Sequence, residues 1–528
     1  MNLTTDLKII LTGIDVLEIR GDLPERVTGI AQDSRRIKPG WLFAARLGEQ
    51  ASGLAFAGNA RARGAVALMT DAELPAELPL PALRVKCFRP ALARLSQAIY
   101  GDPSRKLKLL GITGTNGKTT TIHLLKGIVE ARGGRCGLIG TVGYDTGARL
   151  MDASLTTPDI DLLSDLLAEM VDAGCDYAAV EVSSHALAQE RVAGLSFAGA
   201  GFTNLTRDHL DYHQSFEEYA AAKARLFQMM ESGGVAVINS ADAWGETMAE
   251  AARGRVARFS SRPPVKADVT VATLGHSANG GHFRLTISGD SWLAQQAGLG
   301  GDSGRAKKNG PISFEVVTPL VGLYHGENMA LAAALMLGLG FSVPEVQRGI
   351  AAVKSVPGRL EAVRRGQPFA VFVDYSHTPD ALQSALKSLR PLCPNRLTVV
   401  FGCGGNRDRE KRPLMGRIAA ELADTIVITS DNPRQEKPAE IIAEIRQGVP
   451  PGSHDRIITE VDRRTAIRTA LEKAEAGDAV LIAGKGHETY QETAGVRRPF
   501  DDRAVAGEAL QEMGYQAVGQ PRSLGKSG

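Results

Sequence analysis

The 528 residues are too many for one hydrophobic core and suit two to four domains of ordinary size. With 61 basic and 59 acidic side chains the formal charge is +2, which gives no polyanion-attracting field and argues against nucleic-acid affinity. The cysteines at 87, 136, 175, 393 and 403 show neither pairing nor metal-ligand spacing, no run of about 18 apolar residues could span a bilayer, and the opening apolar run is too short for a secretory signal; a reduced, cytoplasmic protein without membrane insertion is expected.

Three α/β units are read in chain order. Residues 1–105 alternate short apolar runs such as WLFAARL and GAVALMT with helical patterns, and close at the polar stretch YGDPSRKLK. Residues 106–356 begin with LKLLGIT, a glycine-rich turn, and the helically spaced TTIHLLKGIVEAR. Further strands are predicted at CDYAAVEV, FAGAGFTNL and GGVAVINS, with helices such as DLLSDLLAEMVDAG between them, the alternation of a parallel sheet. Residues 290–311, rich in glycine and small polar residues, read as a mobile surface insertion with no assigned function, and the tail GQPRSLGKSG as disordered. Residues 357–528 carry FAVFVDYS, LTVVFGCGG, DTIVITSDNP and DAVLIAGKG, four strands each ending in polar or glycine-rich residues. They predict a doubly wound, Rossmann-like domain whose functional loops lie at the carboxyl ends of its strands.

The turn Gly114-Thr115-Asn116-Gly117-Lys118-Thr119-Thr120 stands between a strand and a helix, where backbone N–H groups and the helix dipole hold phosphates. Lys118 is expected on the β/γ-phosphates of ATP and Thr119 on Mg²⁺. Ile112 replaces the first glycine of the strict Walker pattern. This T-G-T-N-G-K-T-T form resembles the Mur ligase and folylpolyglutamate synthetase superfamily more than kinases, motors or GTPases.

Three more segments resemble Mur ligases: Thr156-Thr157-Pro158, Glu181-Val182-Ser183-Ser184-His185, and Asn204 to His213. The resemblance implies an amide-bond ligase of peptidoglycan synthesis that uses ATP and two Mg²⁺ ions and forms an acyl phosphate. Glu181 and His209 are then metal-site residues. Lys223, in the frame of Tyr219, Ala222, Leu226 and Phe227, is the lysine that the family carbamylates with CO₂. A carbamate oxygen suits a metal site where an ammonium would repel the ions. The spacing of His209 and His213 also fits a zinc pair on a helix, although neither a HExxH glutamate nor a third ligand is evident. Thr156, Thr157, Ser183, Gln189 and Arg191 align with contacts to a UDP-muramoyl-dipeptide, while Leu155 stands where relatives often have asparagine. Ser34, in Asp33-Ser34-Arg35, and the loop 48–51 resemble the uridine-nucleotide site.

By the same resemblance Asn328, Arg359, Asp374 and His377 reach ATP, with His325 a departure at the first adenine contact. Lys411-Arg412-Pro413 resembles an interdomain element. Asp431-Asn432-Pro433-Arg434 resembles the diaminopimelate-adding members. There the arginine fork suits a far-end carboxylate that lysine lacks. Arg407, Gly484 and Glu488 complete that pocket, Glu488 facing an ammonium of the amino acid. A monomer acting on small molecules is expected. The competing readings are a lysine-adding or folate-type ligase, a P-loop ATPase or kinase, and a non-enzymatic nucleotide-binding module.

Overall fold

Three sheets, one per unit, follow from the distribution of apolar runs; the computed structural model describes residues 6–48, 52–263, 265–296 and 310–515. The first sheet has five strands in the order Val16–Arg20, Ala82–Val85, Ala67–Thr70, Trp41–Ala45, Gly29–Ala31. WLFAARL and GAVALMT supply its centre, where Leu42 and Leu68 are fully buried.

The second sheet has eleven strands. Lys108–Thr113 lies between Tyr177–Glu181 and Phe197–Phe202, all parallel, and the order extends on one side through Cys136–Ile139 and on the other through Met230–Asn239 and Arg255–Ser260. These strands are apolar on both faces because helices cover both. Leu109, Leu110 and Ile112 are fully buried, each worth about 2 kcal/mol of transfer free energy. Gly201 leaves room for the helix His325–Gly338, since a Cβ there would lie 2.7 Å from Leu331. The sequence did not predict the antiparallel extension formed by Val269–Ser277, Gly280–Ile287 and Ile312–Thr318.

The third sheet runs Glu361–Ala362, Ala370–Asp374, Ala479–Ala483, Leu397–Phe401, Thr425–Ile428, Ile457–Thr459. Its four central strands are the four predicted ones, and they are parallel. The chain returns from the far edge to insert Ala479–Ala483 between Ala370–Asp374 and Leu397–Phe401, so the loops after Asp374, Phe401, Ile428 and Ala483 share one edge.

The surface insertion expected at 290–311 is corrected at its start. Trp292–Gln296 is a helix with Leu293 and Ala294 buried, and the Trp292 indole N–H donates to the Val256 carbonyl at 2.9 Å. A tryptophan and a leucine among small polar residues were the signal for it. Residues 297–309 and the tail lie outside the described residues.

Candidate functional site at the junction of two sheets

The strand Lys108–Thr113 ends at the point where strand order reverses, and the phosphate loop follows it into the helix Lys118–Ala131. Gly117 has φ +89°, and a Cβ on it would lie 2.3 Å from the Asn328 amide oxygen, so this turn admits only glycine. Thr115 and Asn116 are tied to the neighbouring strand end: Thr115 N–H donates to the Asn204 carbonyl at 2.8 Å and Asn116 N–H to Asn204 Oδ1 at 2.9 Å. Lys118 Nζ donates to the carbonyls of Gly114 and Thr115, both at 2.8 Å. Burial lowers its pKa, while Glu181 and Asp208 oppose the shift. An ammonium held only by backbone carbonyls in a buried loop is poised for an anion. Thr119 and Thr120 begin the helix, both buried.

Glu181 ends its strand 1% exposed. Its carboxylate accepts from Thr141 N–H at 2.9 Å and from the Thr141 hydroxyl at 3.1 Å, and Thr141 Oγ1 lies 3.1 Å from Thr156 Oγ1. The Thr157 hydroxyl donates to the Glu181 carbonyl at 2.7 Å, and Ser183 Oγ caps a short helix by accepting from Ala186 N–H. Thr157 and Ser183 therefore hold the strand end; Thr157 is fully buried, and Ser183 faces the cavity described below.

His209 has φ +56°, its Nε2 3.3 Å from Asp208 Oδ2 and its ring 4.5 Å from that of His185, nearly perpendicular. Burial first, then the neighbouring His185, Lys223 and Lys118, push its pKa down to about 3, against Asp208. The imidazole is neutral at physiological pH and keeps a lone pair available. His213 is 4% exposed and its Nε2 pairs with Ser184 Oγ at 2.9 Å, so it is not presented with His209 as a zinc pair. Among the described residues no three His, Cys, Asp or Glu side chains gather into a metal cage. Lys223, 1% exposed on the helix Phe216–Gln228, stands over the Tyr219 ring at 4.3 Å. Burial, then Lys118, holds its pKa well below the ordinary lysine value. That shift favours the free amine over the ammonium.

The third unit closes over this edge. Arg359 Nη2 donates to Thr119 Oγ1 at 2.7 Å and its guanidinium stacks 4.8 Å over Tyr375. Asn116 Nδ2 donates to Asp380 Oδ2 at 3.0 Å, and Arg207 pairs with Glu410. Between the units lies a cavity of about 950 Å³ reached by Lys118, Glu181, Asn328, Arg359, Asp374 and His377. Asp374 faces it while accepting from Leu360 N–H at 2.7 Å and from the Ser376 hydroxyl. His325 does not face it: the imidazole is fully buried, its pKa depressed to about 3 by burial, and Tyr324 and Glu327 take the lining positions. Lys411 Nζ reaches the His377 carbonyl at 2.9 Å, but Arg412 turns inward to Glu436, Glu444 and the Gly404 carbonyl. Of the expected interdomain triplet, Arg412 is an anchor within the third unit.

Ser34, Gln189 and Arg191 lie outside that cavity. Arg191 Nε donates to Gln189 Oε1 at 3.0 Å and Nη1 to the Thr157 carbonyl at 3.2 Å. Ser34 is buried in a turn that Asp33 caps through Arg35 N–H at 2.9 Å. Leu155 is 42% exposed, and its carbonyl accepts from the Tyr144 hydroxyl at 2.6 Å. Of the loop 48–51, residues 49–51 lie outside the described residues.

The amino-acid-site candidates cluster at the edge of the third sheet. Arg434 adopts φ +52°, its N–H donates to the Glu492 carbonyl at 3.1 Å, and Nη1 donates to the Gly405 carbonyl at 2.7 Å. Pro433 and Gly484 bring the two loops close: a Cβ on Gly484 would lie 2.5 Å from Asp431 Oδ2. Asn432 Nδ2 donates to Glu488 Oε2 at 2.8 Å. Arg407 is exposed; the pKa of His185 in the second unit is lowered chiefly by burial, then by Arg191, with Arg407 a smaller contributor.

Sequence reasoning missed Thr141, Asp208 and Asp380, and also the ion pair Arg463–Asp502. Both members of that pair are fully buried; Arg463 Nη2 donates to Asp502 Oδ2 at 2.7 Å and to the Ala483 carbonyl at 2.9 Å, and Nη1 donates to the Ser430 carbonyl at 3.2 Å. It fastens the strand ends that carry Asp431 and Gly484. No local pattern marks residues 39 apart as partners, and each sits at a helix start among ordinary polar residues.

A phosphate-holding loop at one sheet's switch point, completed by side chains from a second doubly wound domain, defines a nucleotide-dependent enzyme that works between two domains. Comparison with known families matches residues 26–100 to "Mur ligase family, catalytic domain", 112–336 to "Mur ligase middle domain" and 358–486 to "Mur ligase, glutamate ligase domain". A relative from Solibacter usitatus, named "UDP-N-acetylmuramoyl-L-alanyl-D-glutamate--2,6-diaminopimelate ligase", is 42% identical over 93% of this chain and 94% of its own. One from Gloeobacter violaceus, of the same name, is 43% identical over 94% and 96%. A solved structure of an enzyme of that name superposes with TM-score 0.64 at 34% identity, covering 97% of this chain and all of the other. The chain belongs to the Mur ligase family. The fold is shared more widely, as with the MurF ligase from Thermotoga maritima in complex with ADP, at TM-score 0.61 and 17% identity over 92% of this chain and 97% of that one.

Proposed function

We propose that this Mur ligase joins meso-2,6-diaminopimelate to UDP-N-acetylmuramoyl-L-alanyl-D-glutamate, converting ATP to ADP and phosphate in the cytoplasm as a monomer divided at 105/106 and 356/357. The observation that carries the reading is the cluster of Arg434, Asn432 and Glu488 on the loops at the edge of the third sheet: a guanidinium and a carboxylate on neighbouring loops suit an amino acid with an ammonium and an extra carboxylate. The names of relatives alike over nearly the whole chain agree with it.

The reaction follows from the charges. The γ-carboxylate oxygen of the D-glutamyl residue bonds to the γ-phosphorus of ATP and the bond to ADP breaks. The amine of diaminopimelate then attacks the acyl carbon, phosphate departs with the carbon–oxygen electron pair, and the amine loses a proton. Lys118 leaves its carbonyl partners for the phosphate oxygens, and Arg359 adds a second positive group from the opposite domain. The residues suit Mg²⁺: Thr119 and Glu181 offer hard oxygens beside the loop, His209 a neutral nitrogen, and Lys223 a buried amine with a lowered pKa, which favours uptake of CO₂ as a carbamate. When bound, Mg²⁺ supplies neutralisation of phosphate charge. Thr156, Ser183, Gln189 and Arg191 hold the UDP-muramoyl-dipeptide, with Ser34 at its uridine end.

The test is product mass. With UDP-muramoyl-dipeptide, ATP and diaminopimelate, the nucleotide product gains one diaminopimelyl residue for each ADP released. ADP release that continues unchanged without the amino acid, with no new product, would sink the proposal.

A further inference from the structure

We propose that Lys485, which no substrate touches in the reading above, is a positioning residue for the amino acid: it clamps one oxygen of Glu488 so that the other faces the incoming ammonium. The inference rests on the diaminopimelate-site reading and names a determinant within it. Lys485 is fully buried. Its Nζ donates to Glu488 Oε2 at 3.0 Å and to Asn432 Oδ1 at 3.0 Å, and Asn432 Nδ2 donates to the same Glu488 Oε2 at 2.8 Å. Both hydrogen bonds fall on Oε2, and among the described residues none falls on Oε1.

Asn432 is fixed in turn, because its Oδ1 also accepts from Glu492 N–H at 3.0 Å. The Tyr490 ring lies 5.5 Å from Nζ and closes the remaining side. A lysine with no exposed surface carries a desolvation cost that an apolar side chain of similar length would avoid, so core packing alone does not account for it. Holding a carboxylate does. Glu488 is itself mostly buried, and two neighbouring influences are opposed: burial and the Asp431 carboxylate raise its pKa, whereas the Lys485 ammonium lowers it. The other charged or titratable groups around it are Tyr375, Tyr490 and Arg463, the last neutralised by Asp502. The net shift is upward, and Lys485 is the cation that opposes it while orienting the Glu488 carboxylate.

The experiment measures KM for diaminopimelate and for ATP by ADP release between pH 6 and 8.5, in the wild type, K485M and K485M/E488Q. Loss of one charge-assisted contact predicts that K485M raises the diaminopimelate KM about tenfold at pH 7 and leaves the ATP KM within about twofold. Without Lys485 the Glu488 pKa rises further, so the defect deepens as pH falls and shrinks as pH rises, with a steeper pH dependence than in the wild type. K485M/E488Q removes both charges, keeps the fold if K485M does not, and retains the amino-acid defect without the pH dependence. A diaminopimelate KM that is unchanged in either variant, or one that rises in parallel with the ATP KM at every pH, overturns the proposal. A wild-type enzyme that turns over neither diaminopimelate nor lysine overturns this inference and the functional reading together.

Discussion

Arg359 Nη2 lies 2.7 Å from Thr119 Oγ1, a contact between residues 240 apart that joins the third domain to the first turn of the phosphate-loop helix. A guanidinium there stands beside the phosphate loop and, in the proposed reading, adds positive charge to bound phosphate. R359A should lower kcat/KM for ATP about 10²-fold, the scale of removing one preorganised cationic donor, and R359K should recover only part of it. Steady-state kinetics with ATP varied checks this; a loss confined to the amino-acid KM would contradict it.

Burial and the neighbouring Lys118 lower the Lys223 pKa, which favours the free amine, the form that reacts with CO₂. Enzyme prepared free of CO₂ should be less active and regain activity on adding bicarbonate, with the mass of one CO₂ gained at Lys223. K223R should show neither activity nor recovery. Bicarbonate-independent activity of the wild type would remove the carbamate from the account.

The ion pair Arg463–Asp502 has no solvent access, and removing one partner leaves the other charge buried alone. D502A should cost about 3–5 kcal/mol of stability, read as a shift in denaturant midpoint. A midpoint unchanged from wild type would mean that the two strand ends are held by other contacts.

His325 bears on stability against pH. Its pKa is about 3 in the folded chain and ordinary when unfolded, so below about pH 6.5 the unfolded chain binds a proton the folded chain refuses. Stability therefore falls as pH drops from 6.5 towards 3, by at most about 1.4 kcal/mol per pH unit for this one group. H325L should flatten the slope by one proton's worth, measured by denaturation at pH 4.5, 5.5 and 6.5. An unchanged slope would mean that His325 accepts its proton in the folded state.

Much of this architecture was legible in the sequence. The strand-turn-helix around Lys118 and the four apolar strands of the third sheet carry local signals, period and glycine placement, and they fold as expected. Other features depend on distance in the chain. Lys485 sits three residues from a recognised glutamate, yet only burial reveals it as a counter-ion. Arg412 reads as an interdomain cation, but Glu436 and Glu444 on its own domain capture it. His325 stands in a nucleotide-contacting motif position and turns into the core, because its helix presents Tyr324 and Glu327 to the cavity instead. The strands between 269 and 318 alternate exposed and buried residues, the weak signal of an antiparallel edge.

The amino-acid assignment is the central claim, and Arg434 carries it. The most direct measurement is the ratio of kcat/KM for meso-diaminopimelate over lysine in the wild type and in R434A, with UDP-muramoyl-dipeptide and ATP saturating. A strong preference for diaminopimelate that falls about 10²-fold in R434A, while the ATP KM holds, is the predicted result, since a bidentate charged contact is worth about 1.5–3 kcal/mol. Lysine used as well as diaminopimelate by the wild type, or a preference untouched in R434A, would contradict it.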